Sequence, residues 1–129
     1  MIDIILPIWK PVGWSSFDVV KKVRNTIKDS KVGHAGTLDP FAEGVLMLCS
    51  GKKTKIIQDF VDLEKEYTFE IILGYETDTL DPTGKIVKQS EIPGLTKKMI
   101  VNSISKFEGL ILQEPPMFSA LKFNGTPLY

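Results

Sequence analysis

The sequence predicts an α+β domain in which a mixed, mostly antiparallel sheet is flanked by helices, and three patterns carry that expectation. Val19, Val20, Val23 and Ile27 recur at helical spacing, and Gly44 to Ser50 is a short apolar run closed by Gly51. In the third, Tyr67, Phe69, Ile71 and Leu73 alternate with Thr68, Glu70 and Ile72. These are the patterns of an amphipathic helix, a buried strand and a strand with one richer face. A chain of 129 residues, 43% hydrophobic and 25% charged, is long enough for one domain with a real core, so a single domain over 1–129 is expected. No internal repeat, low-complexity tract or linker interrupts it.

The elements follow in order. Lys10-Pro11-Val12-Gly13 reads as a turn, and Ser15 with Asp18 three residues later resembles a capping box, so a helix is expected from about Ser16 to Asp29. A loop rich in glycine follows, then the strand Gly44 to Ser50 and a helix over Lys53 to Leu63, whose apolar positions are Ile56, Ile57, Phe60 and Leu63. Glu66 to Leu73 reads as a strand, Glu76 to Gly84 as an acidic loop rich in turn residues, and Lys85 to Gln89 as a short returning strand. Thr96 caps a helix running to about Phe107 through Met99, Ile100 and Ile104. Gly109 to Gln113, Pro115-Pro116 and Phe118 to Phe123 read as extended, and Asn124-Gly125 as a tight turn. Thr126-Pro127 has the form of a helix start, so the chain is expected to break off where a helix begins.

Composition narrows the function classes. No apolar stretch approaches the roughly 20 residues of a membrane helix, and the apolar Met1 to Trp9 has neither a basic start nor a small-residue cleavage site, which predicts a cytoplasmic protein. The single cysteine, Cys49, has no partner for an internal disulfide and suits a small core residue. Sixteen basic and sixteen acidic residues cancel, which by itself argues against a nucleic-acid binder. The halves differ, however: residues 1–58 carry nine Lys or Arg against five Asp or Glu, a balance of +4, and residues 59–129 carry seven against eleven, a balance of −4. Such asymmetry hints at a side that faces a polyanion. The wet face of a helix accounts for Lys21, Lys22, Arg24 and Lys28 equally simply.

The run Val32 to Leu46 concentrates Gly33, Gly36, Gly44, Pro40, the only histidine, His34, and two carboxylates, Asp39 and Glu43. It reads as a loop built to hold one carboxylate in a fixed pose. Asp39 between Leu38 and Pro40 suits a nucleophile, a general base, an electrostatic stabiliser or a plain Asp-Pro turn. Asp39 with Glu43 allows a glycoside-cleaving pair. One histidine and one cysteine make no metal-ligand spacing, and Gly33-x-x-Gly36 lacks the ending of a phosphate loop, so no metal is expected. Tyr67 at the start of its segment suits either a core aromatic or a ring that stacks on a flipped base.

Four motifs in one order then resemble a known family. They are Lys10-Pro11-x-Gly13-x-Ser15-Ser16; Gly33-His34-Ala35-Gly36-Thr37-Leu38-Asp39-Pro40 with Gly44-Val45-Leu46; Lys65-x-Tyr67 leading into Gly74-x-x-Thr77-Asp78-Thr79-x-Asp81; and Pro115-Pro116-Met117-x-Ser119-Ala120-Leu121-Lys122. Together they resemble the bacterial tRNA pseudouridine synthase B family over the first part of its catalytic domain. The resemblance implies the pseudouridine synthase fold, truncated, and conversion of uridine 55 in the T loop of tRNA to pseudouridine without an organic cofactor or metal. It implies Asp39 as the catalytic residue, His34 and Tyr67 as substrate-binding residues, and Lys10, Gly36, Thr37 and Asp81 as supports of the site. The family's later Tyr-Ile-Arg segment, whose arginine pairs with the catalytic aspartate, and its C-terminal RNA-binding domain have no counterpart in the 129 residues. A fragment with little or no activity by itself is therefore expected. The alternatives are a non-catalytic RNA-binding module that keeps the fold and, further off, a glycoside-cleaving enzyme using Asp39 and Glu43.

Overall fold

The structure is a computed structural model that describes residues 2–28, 31–113, 122–123 and 126–127. The chain divides into two compact units, Met1–Thr68 and Phe69–Tyr129.

In the first unit, strand β1 (Ile5–Lys10) is followed by helix α1 (Ser16–Ile27), strand β2 (Val32–Ala35) and strand β3 (Gly44–Ser50). A 3-10 turn over Gly51–Ile56 then runs into the short helix α2 (Ile57–Val61). The sheet has the order β1-β3-β2, and both pairings are antiparallel. Cross-strand partners share a face. Leu6, Ile8 and Lys10 of β1 therefore stand beside Leu48, Leu46 and Gly44 of β3, with Val32 and His34 of β2 on the same side. That face meets α1, and Val19, Val20, Val32, Leu46 and Leu48 form the core, with Leu6, Ile8, Val23 and Ile27 packed against it. Full burial of each such side chain contributes about 1.5 to 3 kcal/mol. Gly33 sits on the opposite face, where a Cβ would come within 2.7 Å of Ile57 Cδ1 of α2. Helices thus flank the sheet on both sides.

α1 starts as its sequence predicts. The Ser15 side chain accepts from Asp18 N, and the Asp18 side chain accepts from Ser15 N at 3.0 Å, so the capping box is complete. The helix closes at Lys28, which adopts φ +52° and donates its N–H to Arg24 O. The expected strand Gly44 to Ser50 is β3 itself. The helix expected over Lys53 to Leu63 is divided: Gly51–Ile56 winds as a 3-10 turn and only Ile57–Val61 is α-helical. β1 and β2 were not anticipated by residue pattern. Pro7 reads against a strand, yet it is tolerated because β1 pairs only with β3 in this sheet and has a free edge for the residue that lacks an N–H.

The second unit contains an antiparallel hairpin of β4 (Tyr75–Thr77) and β5 (Ile86–Gln89), irregular between Glu76 and Thr77. Helix α3 (Lys97–Ile104) follows, capped by Thr96 Oγ1, which accepts from Met99 N at 3.3 Å, and a 3-10 turn continues it to Phe107. The returning strand and the capped helix lie where the sequence expects them. The strand expected over Glu66 to Leu73 does not form. Its alternating residues are exposed on both sides and meet no ladder partner among the described residues, and a strand exists only as one member of a pair. The partner of β5 is instead Tyr75–Thr77, which overlaps the start of what reads as an acidic loop. Thr126–Pro127, expected to open a helix, is extended and pairs as β7 with β6 (Lys122–Phe123). The Pro115 to Leu121 motif and the Asn124-Gly125 turn lie outside the described residues. Every described strand pairing is antiparallel.

Candidate active site

The segment from Gly36 to Glu43 joins β2 to β3 and carries Asp39 at its exposed outer end. Gly36 at φ +87° turns the chain out of β2, and Gly44 at φ +148° admits it to β3, both in the region that favours glycine. Between them Ala42 N donates to Asp39 O at 3.0 Å, which closes a tight turn around Pro40.

The loop is fixed from several directions. The Lys10 side chain is wholly buried (0% exposed), and its ammonium donates to Pro11 O at 3.0 Å, Trp14 O at 2.7 Å and Ala42 O at 2.6 Å. Three donors meet three carbonyls, so a buried charge is satisfied without a carboxylate. That clamp joins the end of β1, the turn before α1 and the Asp39 loop. Gly13 N donates to Pro40 O at 2.7 Å, directly across the same junction. Ser16, buried in the first turn of α1, donates from Oγ to Leu38 O at 3.1 Å and accepts from Leu38 N at 3.0 Å. Both backbone groups of the residue before Asp39 are thereby held, and the loop inherits the rigidity of α1 and of the sheet.

His34 lies on β2, half-buried, and its Nδ1–H donates to Gly36 O. That bond fixes the ring and leaves Nε2 unengaged by it. Thr37 is exposed and makes no side-chain hydrogen bond among the described residues. The Asp39 carboxylate is likewise exposed and without a side-chain partner among them. Glu43 accepts from Trp9 Nε1–H at 3.4 Å, so it braces an exposed indole on β1. Tyr67, 61% exposed, belongs to the irregular segment that follows α2. Lys65, two residues before it, donates to Val61 O at 2.6 Å and Leu63 O at 2.7 Å and so caps α2.

The first unit thus brings Lys10, His34, Gly36, Thr37 and Asp39 into one junction between β1, α1, β2 and β3. Asp81 belongs to the second unit, in the loop between β4 and β5. Its Oδ1 accepts from Thr79 Oγ1 at 2.7 Å, Thr83 N at 2.8 Å and Thr83 Oγ1 at 2.6 Å. Hydrogen bonds from the Thr83 and then the Thr79 side chains hold its carboxyl below the ordinary aspartate range. The sequence resemblance gives Gly13, with Lys10, a part in shaping the site, whereas two anchors of the loop are not singled out by sequence: Ser16 Oγ and the carbonyl of Ala42. The Ser15-Ser16 pair at the head of α1 was the available signal for Ser16, while backbone acceptors leave no mark on the side-chain sequence.

Comparison with known proteins shows the family and the fold. Residues 24–129 match the family model described as TruB family pseudouridylate synthase (N terminal domain). The tRNA pseudouridine synthase B of Clostridium acetobutylicum is 50% identical over 128 residues, which is 99% of this chain and 44% of that protein. That of Desulfotalea psychrophila is 48% identical over 126 residues, 97% of this chain and 51% of that protein. The chain therefore spans about half the length, or less, of these two relatives. Among solved structures, a chain of a Cbf5-Nop10-Gar1 complex aligns with TM-score 0.59 at 26% identity, covering 92% of this chain and 30% of its own. A chain of an H/ACA RNP bound to a substrate RNA containing 2'-deoxyuridine shares the fold at TM-score 0.54, with 24% identity over 84% of this chain and 29% of its own. With a family model matched from within α1 to the last residue, and a clamped, glycine-framed aspartate at the junction of its first sheet, the chain belongs to the TruB family of pseudouridylate synthases.

Proposed function

We propose that this chain provides the catalytic loop of a tRNA pseudouridine-55 synthase acting in the cytoplasm on the T stem-loop of tRNA, with Asp39 as the catalytic carboxylate. The observation that carries this reading is the loop itself: an exposed carboxylate on a turn whose neighbours Leu38, Pro40 and Ala42 are each tied to rigid elements. Such fixation pre-organises a group that has to meet one atom of a substrate. The reaction breaks the bond between N1 of uracil and C1′ of ribose, rotates the base and joins C5 to C1′, the C5 hydrogen leaving as a proton while N1 takes one up. Asp39 assists either by covalent attack on the nucleotide or by promoting glycosidic cleavage. The target base first leaves its stack, which costs a few kcal/mol that new contacts offset. Tyr67 supplies a ring for stacking, and His34, with Nδ1 engaged by Gly36, offers Nε2 to the RNA. Lys10, Gly36 and Thr37 shape the loop, and Asp81 orders its own loop in support of the site. No organic cofactor or metal enters this reading.

The test replaces the matching segment of the Clostridium acetobutylicum relative with this chain and follows tritium release from [5-³H]uridine-labelled tRNA. The chimera is expected to release tritium at a rate that Asp39→Ala abolishes. A chimera equally active with and without Asp39 would overturn the reading. Assayed by itself, the 129-residue chain is expected to release little or none.

A further inference from the structure

Phe17, Lys21, Arg24 and Lys28 are spaced four, three and four residues apart on α1 and its cap, so they form one stripe along the flank of the helix. Lys21 and Lys28 lie about 10 Å apart along the axis. The core-facing residues Val19, Val20, Val23 and Ile27 lie on the adjoining side, which leaves the stripe at the edge of the packed face rather than in it. Resting on the function proposed above, we propose that this stripe is a track for the sugar-phosphate backbone of the RNA substrate, leading along α1 from the Asp39 loop.

Four observations support it. The stripe itself carries no acid; the nearest carboxylate on the helix, Asp18, is hydrogen-bonded by Ser15 through N at 3.0 Å and Oγ at 2.6 Å and feels the charge of Lys21 without forming an ion pair with it. Lys21 and Lys28 form no salt bridge among the described residues, where the single ion pair is Lys88 with Glu76 of the second unit. The Lys21 ammonium rests 5.0 Å from the centre of the exposed Phe17 ring, which holds a cation in place without neutralising it. Arg24, half-buried, adds a guanidinium to the row and forms no ion pair among the described residues. The track also begins at the proposed chemistry: Ser16, the residue before Phe17, is bonded in both directions to Leu38, and Gly13 N to Pro40 O. Gly13, Trp14, Asp18, Lys21 and Lys22 line an open depression of about 420 Å³ at that end, where two cations outnumber one carboxylate. Anionic phosphates spaced along a strand match a row of cations better than a single anion or an acidic side chain does.

The experiment measures tRNA binding by this chain across a series of salt concentrations, for the native sequence, for Lys21→Gln with Lys28→Gln, and for the control pair Lys52→Gln with Lys55→Gln, which removes the same charge off the stripe. Circular dichroism confirms that each variant keeps its helices. Each lost phosphate contact lowers the slope of log K against log salt by about 0.7 to 0.9. The stripe pair is expected to lower it by about 1.4 to 1.8, the control pair by much less, and Lys21→Arg with Lys28→Arg is expected to restore it. Equal losses from both pairs, or an unchanged slope in the stripe pair, overturn the track while leaving the catalytic reading standing. Failure of the native chain to bind tRNA at all, or preferential binding to phosphatidylserine vesicles that depends on the stripe, overturns the track as well. In those two cases the chimera's tritium release separately decides the function.

Discussion

The two units of this chain are held together by different forces. In Met1–Thr68 an amphipathic helix closes over one face of a three-stranded sheet and buries a small aliphatic core. In Phe69–Tyr129 no described residue is buried, and the large apolar side chains from Phe69 to Leu112 remain exposed. What gives the second unit its shape is polar and local. Asp78 Oδ1 accepts from Lys85 N at 2.8 Å, Thr77 Oγ1 donates to Asp81 O at 2.7 Å, and Asp81 gathers Thr79 and Thr83. Burial fixes a site over long sequence separations, whereas hydrogen-bond knots fix only the loop in which they lie. The candidate catalytic residue sits in the unit that has the core.

The largest expected effect breaks the first unit at its centre. Leu48 is 1% exposed, on the middle strand of the sheet. Leu48→Ala is expected to cost about 2 to 5 kcal/mol through lost transfer energy and the cavity left behind. Thermal melting followed by circular dichroism checks it.

A smaller loss is expected from the clamp. Lys10→Met keeps much of the volume but strips donors from the carbonyls of Pro11, Trp14 and Ala42. The relief of no longer burying an ammonium offsets part of this, and a net cost of about 2 to 3 kcal/mol is expected. Amide exchange over residues 36–43 should rise more than exchange in β3. Equal protection of that loop in both proteins would show that the sheet and Ser16 hold it without Lys10.

Acid sharpens the contrast between the units. Asp81 is held below the ordinary aspartate range by Thr83 and Thr79, so between its folded and unfolded values the unfolded chain binds more protons. Its contribution is fully present above the unfolded value of about 3.9 and is lost as pH falls through the lower folded one. Asp18, lowered mainly by the Ser15 side chain, follows the same sign at the head of α1. The β4–β5 hairpin, in a unit where no described residue is buried, is expected to lose amide protection in this acid window before Leu46 and Leu48 do. Thr83→Ala should move the carboxyl resonance of Asp81 to titrate at higher pH; an unmoved titration would mean that Thr83 is not its main partner.

The same division explains what was legible in the sequence. α1 was legible because its cap and its periodicity are written in side chains, though not its stop, where Lys28 takes a left-handed φ of +52°; β3 was legible because a short apolar run closed by glycine has few other uses. β2 was hidden because Gly33 and His34 carry no strand preference; they are extended only because β3 lies beside them. The alternation over Tyr67 to Leu73 misled for the complementary reason, as a pattern with nothing to pair with among the described residues. At the site, Asp39 and its glycines stood out by residue type. The anchors did not, because the Pro11, Trp14, Ala42 and Leu38 carbonyls that fix the loop are groups every residue has.

The smallest expected effect tests whether the second unit truly lacks a core. Ile104 ends α3 with 58% of its surface exposed, and Met99 and Ile100 on the same helix are exposed too. If α3 is held by its Thr96 cap and its own hydrogen bonds, removing apolar surface at Ile104 takes nothing out of a packed interior. Ile104→Ser is then expected to change stability by no more than about 0.5 kcal/mol, as ordinary surface substitutions do. Thr96→Ala, which removes the acceptor for Met99 N, should cost more, about 1 kcal/mol. Amide exchange along Lys97–Ile104 reads both variants against the native chain. The reverse order, with Ile104→Ser the more damaging, would mean that this helix buries its apolar stripe in solution, and the contrast between a cored and a coreless unit would fail.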